Sequence, residues 1–270
     1  MGWNPKTMRT QELYQVDAFA SELFAGNPAA VCILEKWWPD ELMQSVAAEN
    51  NLAETAFAVP TAEGYEIRWF TPETEVALCG HATLATAHVL FNTREAQASG
   101  IRFQSRERGT LVVNRSEDWL VLDFPADPPK AIDMPNGLQE ALGGDPTSCW
   151  KGQTDLMVVY DTEKEVRELR PNFHLLDRIR ARGIIATARG ETDDFVSRFF
   201  APNCGIPEDP VTGSAHTTLT PYWAGVLQKT KLTAMQLSPR GGVLRCEFLG
   251  DRIKIAGKAI TYMKAEIYLP

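Results

Sequence analysis

The sequence has no CxxC pair, no HxxH-type spacing, no GxGxxG string and no P-loop. Its five cysteines, Cys32, Cys79, Cys149, Cys204 and Cys246, are scattered and odd in number. That pattern argues against a disulfide framework and fits a reducing compartment. With four scattered histidines as well, it argues against a metal site, and no Gly-rich loop points to a nucleotide. Positive charge is scarce: 27 Lys and Arg face 35 Asp and Glu, a net charge of −8. Such a surface repels nucleic acid and anionic membrane. The one basic run, Arg178–Arg182, reads as a solvated helix face. The opening MGWNPKTMRTQEL holds no apolar core of the kind a signal peptide needs, so a cytoplasmic location is the expectation.

Charge is missing altogether from two eighteen-residue stretches, Val76–Thr93 and Val211–Gln228. Length alone raises the question of a membrane span. Both stretches carry Gly, His and several Thr, however, and the second carries Pro221. They read as helices buried in protein, because a helix uncharged on all sides must be surrounded. Similar segments precede them: Arg68-Trp-Phe-Thr-Pro72 and Arg198-Phe-Phe-Ala-Pro202 each have Arg, two aromatics, a small residue and Pro. Then come Gly80-His81-Ala82 and Gly213-Ser214-Ala215. The two arginines stand 130 positions apart in a chain of 270, so the sequence reads as an internal duplication.

Between these landmarks, AETAFAVP, GTLVVNR, WLVLDF, DLMVVY, GIIATA and RIKIA read as short strands. Helices are expected at WPDELMQSVAAENN, with Pro39 in its first turn, and at NGLQEALGG, stopped by its glycines. The Pro-rich FPADPPK near the midpoint is the most linker-like segment. Many short strands with one long uncharged helix per half suggest an α+β fold of two similar halves. Each would be a sheet curled around a helix, with the active cleft where they meet.

Small residues before a helix let backbone N–H groups approach an anion. Gly80-His81 and Gly213-Ser214 could therefore grip one carboxylate; the alternative is ordinary capping by Thr212 and Ser214. Glu54 opens an apolar strand and Asp209 sits four residues before Gly213. A partly dry site can lift a carboxylic acid's pKa toward neutrality, although taken from the sequence alone either acid reads more readily as a surface or capping residue, and Glu208 competes with Asp209 as the solvent-facing one. Cys79 beside a helix start is expected to have a depressed pKa, but two positions from His81 it is awkwardly placed for a Cys–His pair. His88 and His216 are expected to be core or hydrogen-bonded residues.

Four segments in order, QVDAFASELFAGNPAAV, NNLAETAFAV, RWFTPETEVALCGHATLATAHVL and RFFAPNCGIPEDPVTGSA, closely resemble the PhzF-like family. That family takes its name from the phenazine-biosynthesis isomerase and shares the diaminopimelate epimerase fold. The resemblance, from Gln15 to the last strand, implies two pseudo-symmetric halves, each a barrel-like, mostly antiparallel sheet around a central helix. The last strand returns to the first half, giving residues 1–122 with 257–270, and 123–256. It also implies a homodimer, a small carboxylate-bearing substrate and catalysis without metal or organic cofactor. In the phenazine isomerase the motif glutamate moves a proton between ring carbons, which maps onto Glu54. The family histidine maps onto His81 and its aspartate onto Asp209. Backbone N–H groups of Gly80, His81, Gly213 and Ser214 would hold the carboxylate, and Cys79 and Thr212 would lie beside them. Asn27, in AGNPAAV, would fall in a loop facing the cleft.

The chain departs from its relatives at informative places. Diaminopimelate epimerase uses one cysteine per half, whereas Cys79 here is matched by Thr212. The phenazine enzyme has serine where this chain has Ala53, and no cysteine at position 79. A cofactor-independent isomerase using Glu54 is the leading expectation. An amino-acid epimerase or racemase using Cys79, a carboxylate-binding relative without turnover, and a Cys79–His81 hydrolase are the alternatives.

Overall fold

The computed structural model describes residues 9–270; residues 1–8, on which part of the reading about a signal peptide rested, lie outside them. In chain order the elements begin β1 (Arg9–Ala18), β2 (Asn27–Ile33), α1 (Asp40–Asn50), β3 (Glu54–Thr61), β4 (Gly64–Phe70) and β5 (Glu75–Val76). There follow α2 (Gly80–Thr93), β6 (Gly100–Ser105), β7 (Gly109–Ser116) and β8 (Trp119–Pro125). Next are β9 (Lys130–Ile132), α3 (Leu138–Leu142), β10 (Ser148–Lys151), β11 (Leu156–Val159), α4 (Glu163–Glu168) and α5 (Phe173–Leu176). The remainder is β12 (Ile184–Arg189), β13 (Phe195–Ala201), β14 (Ile206–Asp209), α6 (Ala215–Leu227), β15 (Lys231–Gln236), β16 (Gly242–Phe248), β17 (Arg252–Gly257) and β18 (Ala259–Leu269). The fold is α+β, and the chain divides into two units. One holds the residues up to Leu122 with Gly257–Pro270, the other Asp123–Ala256.

In the first unit β18 pairs antiparallel with β1, and β1 with β2. β2 and β3 are parallel, β3 and β4 antiparallel. β4 takes the short β5 antiparallel and β6 parallel, and β6, β7 and β8 form an antiparallel meander. The second unit repeats this order of pairings. β9–β10 and β10–β11 are antiparallel, β11 and β12 parallel, β12 and β13 antiparallel. β13 takes the short β14 antiparallel and β15 parallel, before the meander of β15, β16 and β17. The long helix occupies the same place in both, α2 between β5 and β6, α6 between β14 and β15. Nine strands in each unit thus share one pattern of neighbours and directions, far stronger support for duplication than five matching letters.

The uncharged helices are interior ones. Ten residues of α2 are buried, and it packs on β1, β2, β3, β7 and β18. Its threonines turn their hydroxyls back on the helix: Thr83 Oγ1 donates to the Cys79 carbonyl at 2.6 Å and Thr86 Oγ1 to the Ala82 carbonyl at 2.7 Å. Polar side chains are thereby satisfied without leaving the core. α6 keeps Pro221 inside it and anchors Trp223, whose Nε1 donates to Thr187 Oγ1 at 3.0 Å. No helix among the described residues is long and apolar enough to cross a membrane.

The arginines of the repeated segments have equivalent partners. Arg68 donates through Nε and Nη2 to the Glu75 carboxylate at 2.7 and 2.6 Å, and Arg198 does so to Glu208, both at 2.8 Å. Each glutamate lies on the short strand beside its arginine's own strand. The remaining nitrogen holds the preceding helical region: Arg68 Nη1 reaches Asp40 of α1, and Arg198 Nη1 the carbonyls of Val166 and Leu169 at α4. Each guanidinium lies 5.0 Å from the ring of the phenylalanine two residues on, Phe70 or Phe200. Glu208, expected to face solvent, is instead the largely buried partner of Arg198.

Other expectations need correcting. Pro39 is the N-cap of α1, with extended backbone, not a first-turn residue. The basic run Arg178–Arg182 is not a helix face. α5 ends at Leu176, and Arg182 makes a two-pronged ion pair with Asp155, which is 2% exposed. FPADPPK is tied down as well: Asp127 accepts from the Gln153 N–H and from Thr218 Oγ1.

Candidate active site

Glu54 is the first residue of β3, delivered there by the turn after α1. Asn51 adopts the left-handed conformation and caps α1, and Asn50 Nδ2 donates to Thr55 Oγ1 at 3.0 Å. Cys79 is the extended N-cap of α2 and makes no side-chain cap bond; Gly80 and His81 are the first helical residues. Helix geometry leaves the N–H groups of Gly80 and His81 without intrahelical acceptors.

These segments bring three side chains together. His81 Nε2 is 3.1 Å from Glu54 Oε2, and His81 Nδ1 is 3.5 Å from Cys79 Sγ. The Cys–His contact expected to be awkward therefore forms, because the extended N-cap swings the thiol toward the imidazole. Glu54 and His81 side chains are 13% and 8% exposed, so the glutamate is no ordinary surface residue. Oε2 makes no well-directed hydrogen bond, despite its closeness to the imidazole. The oxygen, sulfur and nitrogen atoms of the three residues lie within 4.8 Å of one another, a set that could hold a cation.

The electrostatics differ from the expectation in two respects. Burial pushes the Glu54 carboxyl up, but the His81 charge and the close polar contacts with His81 and Cys79 outweigh it and hold the pKa below the usual 4.5. Glu54 rests as a carboxylate, not as an acid poised near neutrality. Burial likewise pushes His81 down, but Cys79 and Glu54 hold its pKa well above 6.5. The Cys79 thiol is pushed up to about 11, chiefly by burial and then by the Glu54 charge. Its depressed pKa does not materialise, because desolvation outweighs the helix end. At neutral pH the cluster is thus a carboxylate, an imidazolium and a neutral thiol.

In the second unit Asp209, 8% exposed, ends β14 and accepts from Thr212 Oγ1. Gln236, at the end of β15 and wholly buried, donates to the Asp209 carbonyl and accepts from the Thr212 N–H, both at 2.8 Å. Ser214 precedes α6 but does not cap it; its hydroxyl receives Arg182 Nη2 at 3.1 Å. Thr212 is no cap either, so ordinary capping does not explain this turn. His216 is buried with Nδ1 2.9 Å from the Thr212 carbonyl, and burial lowers its pKa to about 4. His88 Nε2 lies 3.0 Å from Thr261 Oγ1, and burial lowers its pKa also to about 4. Both histidines serve packing and hydrogen bonding.

Asn27 opens β2 and is fully buried, so it is a strand residue and not a loop residue. Gly26 positions it: φ is +66°, and a Cβ would stand 2.2 Å from the Ala18 carbonyl oxygen. Sequence reasoning missed Gln236, Asp155 and Arg182. The basic run contained Arg182, but only the fold reveals its buried partner. A cavity of about 560 Å³ in the first unit opens beside Arg9, Tyr14, Lys36 and Trp38, and none of the candidate residues lines it.

A family model described as phenazine biosynthesis-like protein matches residues 16–265. The chain belongs to the PhzC-PhzF family. A Pseudomonas aeruginosa protein named as an uncharacterized isomerase is 52% identical over 258 residues, covering 96% of this chain and 98% of its own. The crystal structure of a PhzF family protein from Enterococcus faecalis superposes with a TM-score of 0.94 at 47% identity, covering 97% and 100%. A hydroxyproline epimerase from Agrobacterium vitis, 11% identical, covers 100% of this chain and 94% of its own with a TM-score of 0.62. That last likeness shows the fold alone: the PhzF-like protein shares the architecture of amino-acid epimerases.

Proposed function

We propose that this PhzF-like protein is a cofactor-independent isomerase moving a proton between carbons of a small carboxylate-bearing substrate, with Glu54 as the acid/base. The observation that carries the reading is the Glu54 carboxylate, largely buried and kept ionised by His81 at the N-terminus of α2. A carboxylate is ready to take a proton from an activated carbon. Once protonated beside an imidazolium it is a strong acid, so it returns the proton to a second carbon. The electron pair left behind delocalises toward the substrate carboxylate, where the His81 charge and the free N–H groups of Gly80 and His81 stabilise it.

Asp209 is proposed as a second proton-handling group, and Asn27, Cys79, Thr212, Gly213 and Ser214 as substrate-binding residues, on the strength of the motif resemblance. The reading of Cys79 as a racemase base has less support. Its thiol is neutral at pH 7 and its counterpart Thr212 is not a thiol.

The test is proton exchange in deuterated water, followed by NMR over a panel of small unsaturated carboxylates. Wild type incorporates deuterium, and Glu54→Gln loses ~10²–10⁴-fold in rate while its circular dichroism is unchanged. Exchange at the wild-type rate in Glu54→Gln would sink the assignment. Exchange at an amino-acid Cα that requires Cys79 would favour the racemase.

A further inference from the structure

Arg182 is anchored like the arginine clamps of the fold but ends differently. Its N–H donates to the Thr154 carbonyl, and the Gly183 carbonyl accepts from the Leu156 N–H, both at 3.0 Å. These two bonds flank Asp155 and set Arg182 opposite it. Asp155, 2% exposed, accepts from Arg182 Nε at 2.8 Å and from Nη2. The guanidinium lies 5.5 Å from the Phe199 ring, which packs so closely on Gly183 that a Cβ there would stand 2.0 Å from it. Arg68 and Arg198 commit every guanidinium nitrogen to carboxylates or carbonyls. Arg182, 41% exposed, instead turns Nη2 to the Ser214 hydroxyl at 3.1 Å. A guanidinium has donors only, so Ser214 Oγ must accept, and its own proton points elsewhere. The hydroxyl does not cap α6, and no acceptor among the described residues takes that proton.

We propose that Arg182, anchored on Asp155, is a positioning residue that makes the Ser214 hydroxyl a dedicated donor to a substrate carboxylate oxygen. The inference deepens the reading of Ser214 as a substrate-binding residue and rests on it. A serine hydroxyl left to itself rotates between donating and accepting. Fixing its proton toward the ligand removes a freedom that binding must otherwise freeze. The bond from Arg182 also polarises the hydroxyl, since linked hydrogen bonds strengthen one another. Burial pushes Arg182 down, but the hydrogen bonds and charge of Asp155 outweigh it and keep the guanidinium protonated. The Asp209 charge reaches it as well, so Arg182 acts on the same turn that carries Asp209, Thr212 and Gly213. Lysine cannot replace it, because a single ammonium lacks the planar fork that holds a carboxylate at two points and a hydroxyl at a third.

The test titrates crotonate, a small unsaturated carboxylate, into the full-length protein labelled with nitrogen-15, and follows the Ser214 and Ala215 amides by NMR. Wild type binds. Ser214→Ala and Arg182→Lys each weaken binding ~10–100-fold, the worth of one hydrogen bond to a charged group. The double variant binds no more weakly than Ser214→Ala alone, because Arg182 acts only through the hydroxyl. Arg180→Ala, which removes an exposed charge of the same basic run, leaves affinity unchanged. Wild-type affinity in Arg182→Lys, additive losses in the double variant, an equal loss in Arg180→Ala, or no binding by wild type overturns the assignment. Should Arg182→Lys fail to fold by circular dichroism, Asp155→Asn takes its place in the same cycle, since it loosens the anchor without moving Ser214. Binding that follows this pattern while no carboxylate of the panel exchanges deuterium counts against the isomerase reading and leaves the role of Arg182 standing.

Discussion

Glu54 and His81 set each other's charge, and the signs of the two shifts fix where the pair is intact. The glutamate is held below 4.5, so its contribution is present above that value and is lost as pH falls through its lowered pKa. The histidine is held well above 6.5, so its contribution is present below that value and is lost as pH rises through its raised pKa. The window common to both therefore includes pH 4.5 to 6.5 and extends beyond it on either side. A kcat/KM profile measured on an exchanging substrate should be flat across that interval, with an acid limb below it and a basic limb above. An acid limb centred near neutrality would mean that burial, not the imidazolium, governs Glu54. The sign at Glu54 could not be read from NNLAETAF alone, because it depends on His81 and Cys79, more than twenty residues away in sequence.

At the scale of elements, the repeated arginines explain why the RWFTP and RFFAP segments look alike. Each clamps its strand to the short strand that follows and to the helical region before it, a structural duty rather than a catalytic one. Arg198 and Glu208 are 8% and 15% exposed. Removing one partner of a buried pair strands the other charge, so Glu208→Ala should cost about 3–5 kcal/mol in urea denaturation. Adding Arg198→Met should recover part of that loss, since a well-packed apolar side chain needs no partner. A double variant no more stable than the single one would contradict this account. The pattern of small residue, aromatics and arginine was visible in the sequence. The glutamates were not, because the intervening loops differ in length and hide the matching positions of Glu75 and Glu208.

For the whole molecule, nine strands per unit with the same pairing order show how one ancestral plan was used twice. The C-terminal strand β18 completes the first unit by pairing along the length of β1, from Arg9–Leu269 to Ala18–Ala259. The first and the last of the described strands are thereby joined in one ladder. Deleting residues 259–270 strips β1 of one of its two partners, leaving β2, and opens a long unpaired edge, a template for aggregation. Limited proteolysis of the truncated chain should degrade the first unit preferentially, leaving fragments within 123–256. Equal protection of both units would show that β18 is dispensable.

The sequence by itself determined the α+β class, the interior helices, the duplicated landmarks and the family, because these follow from local pattern. An uncharged helix must be buried, alternating apolar residues make strands, and a repeated string at half-chain offset marks a repeat. Only the tertiary structure decided the protonation of Glu54, the neutral thiol of Cys79, the pairing of Glu208 with Arg198 and the place of Arg182 beside Asp155. Burial and charge pairing are properties of what surrounds a side chain in space. The same desolvation that lifts the thiol fails to lift the glutamate, because the imidazolium of His81 lies 3.1 Å from the carboxylate and outweighs it.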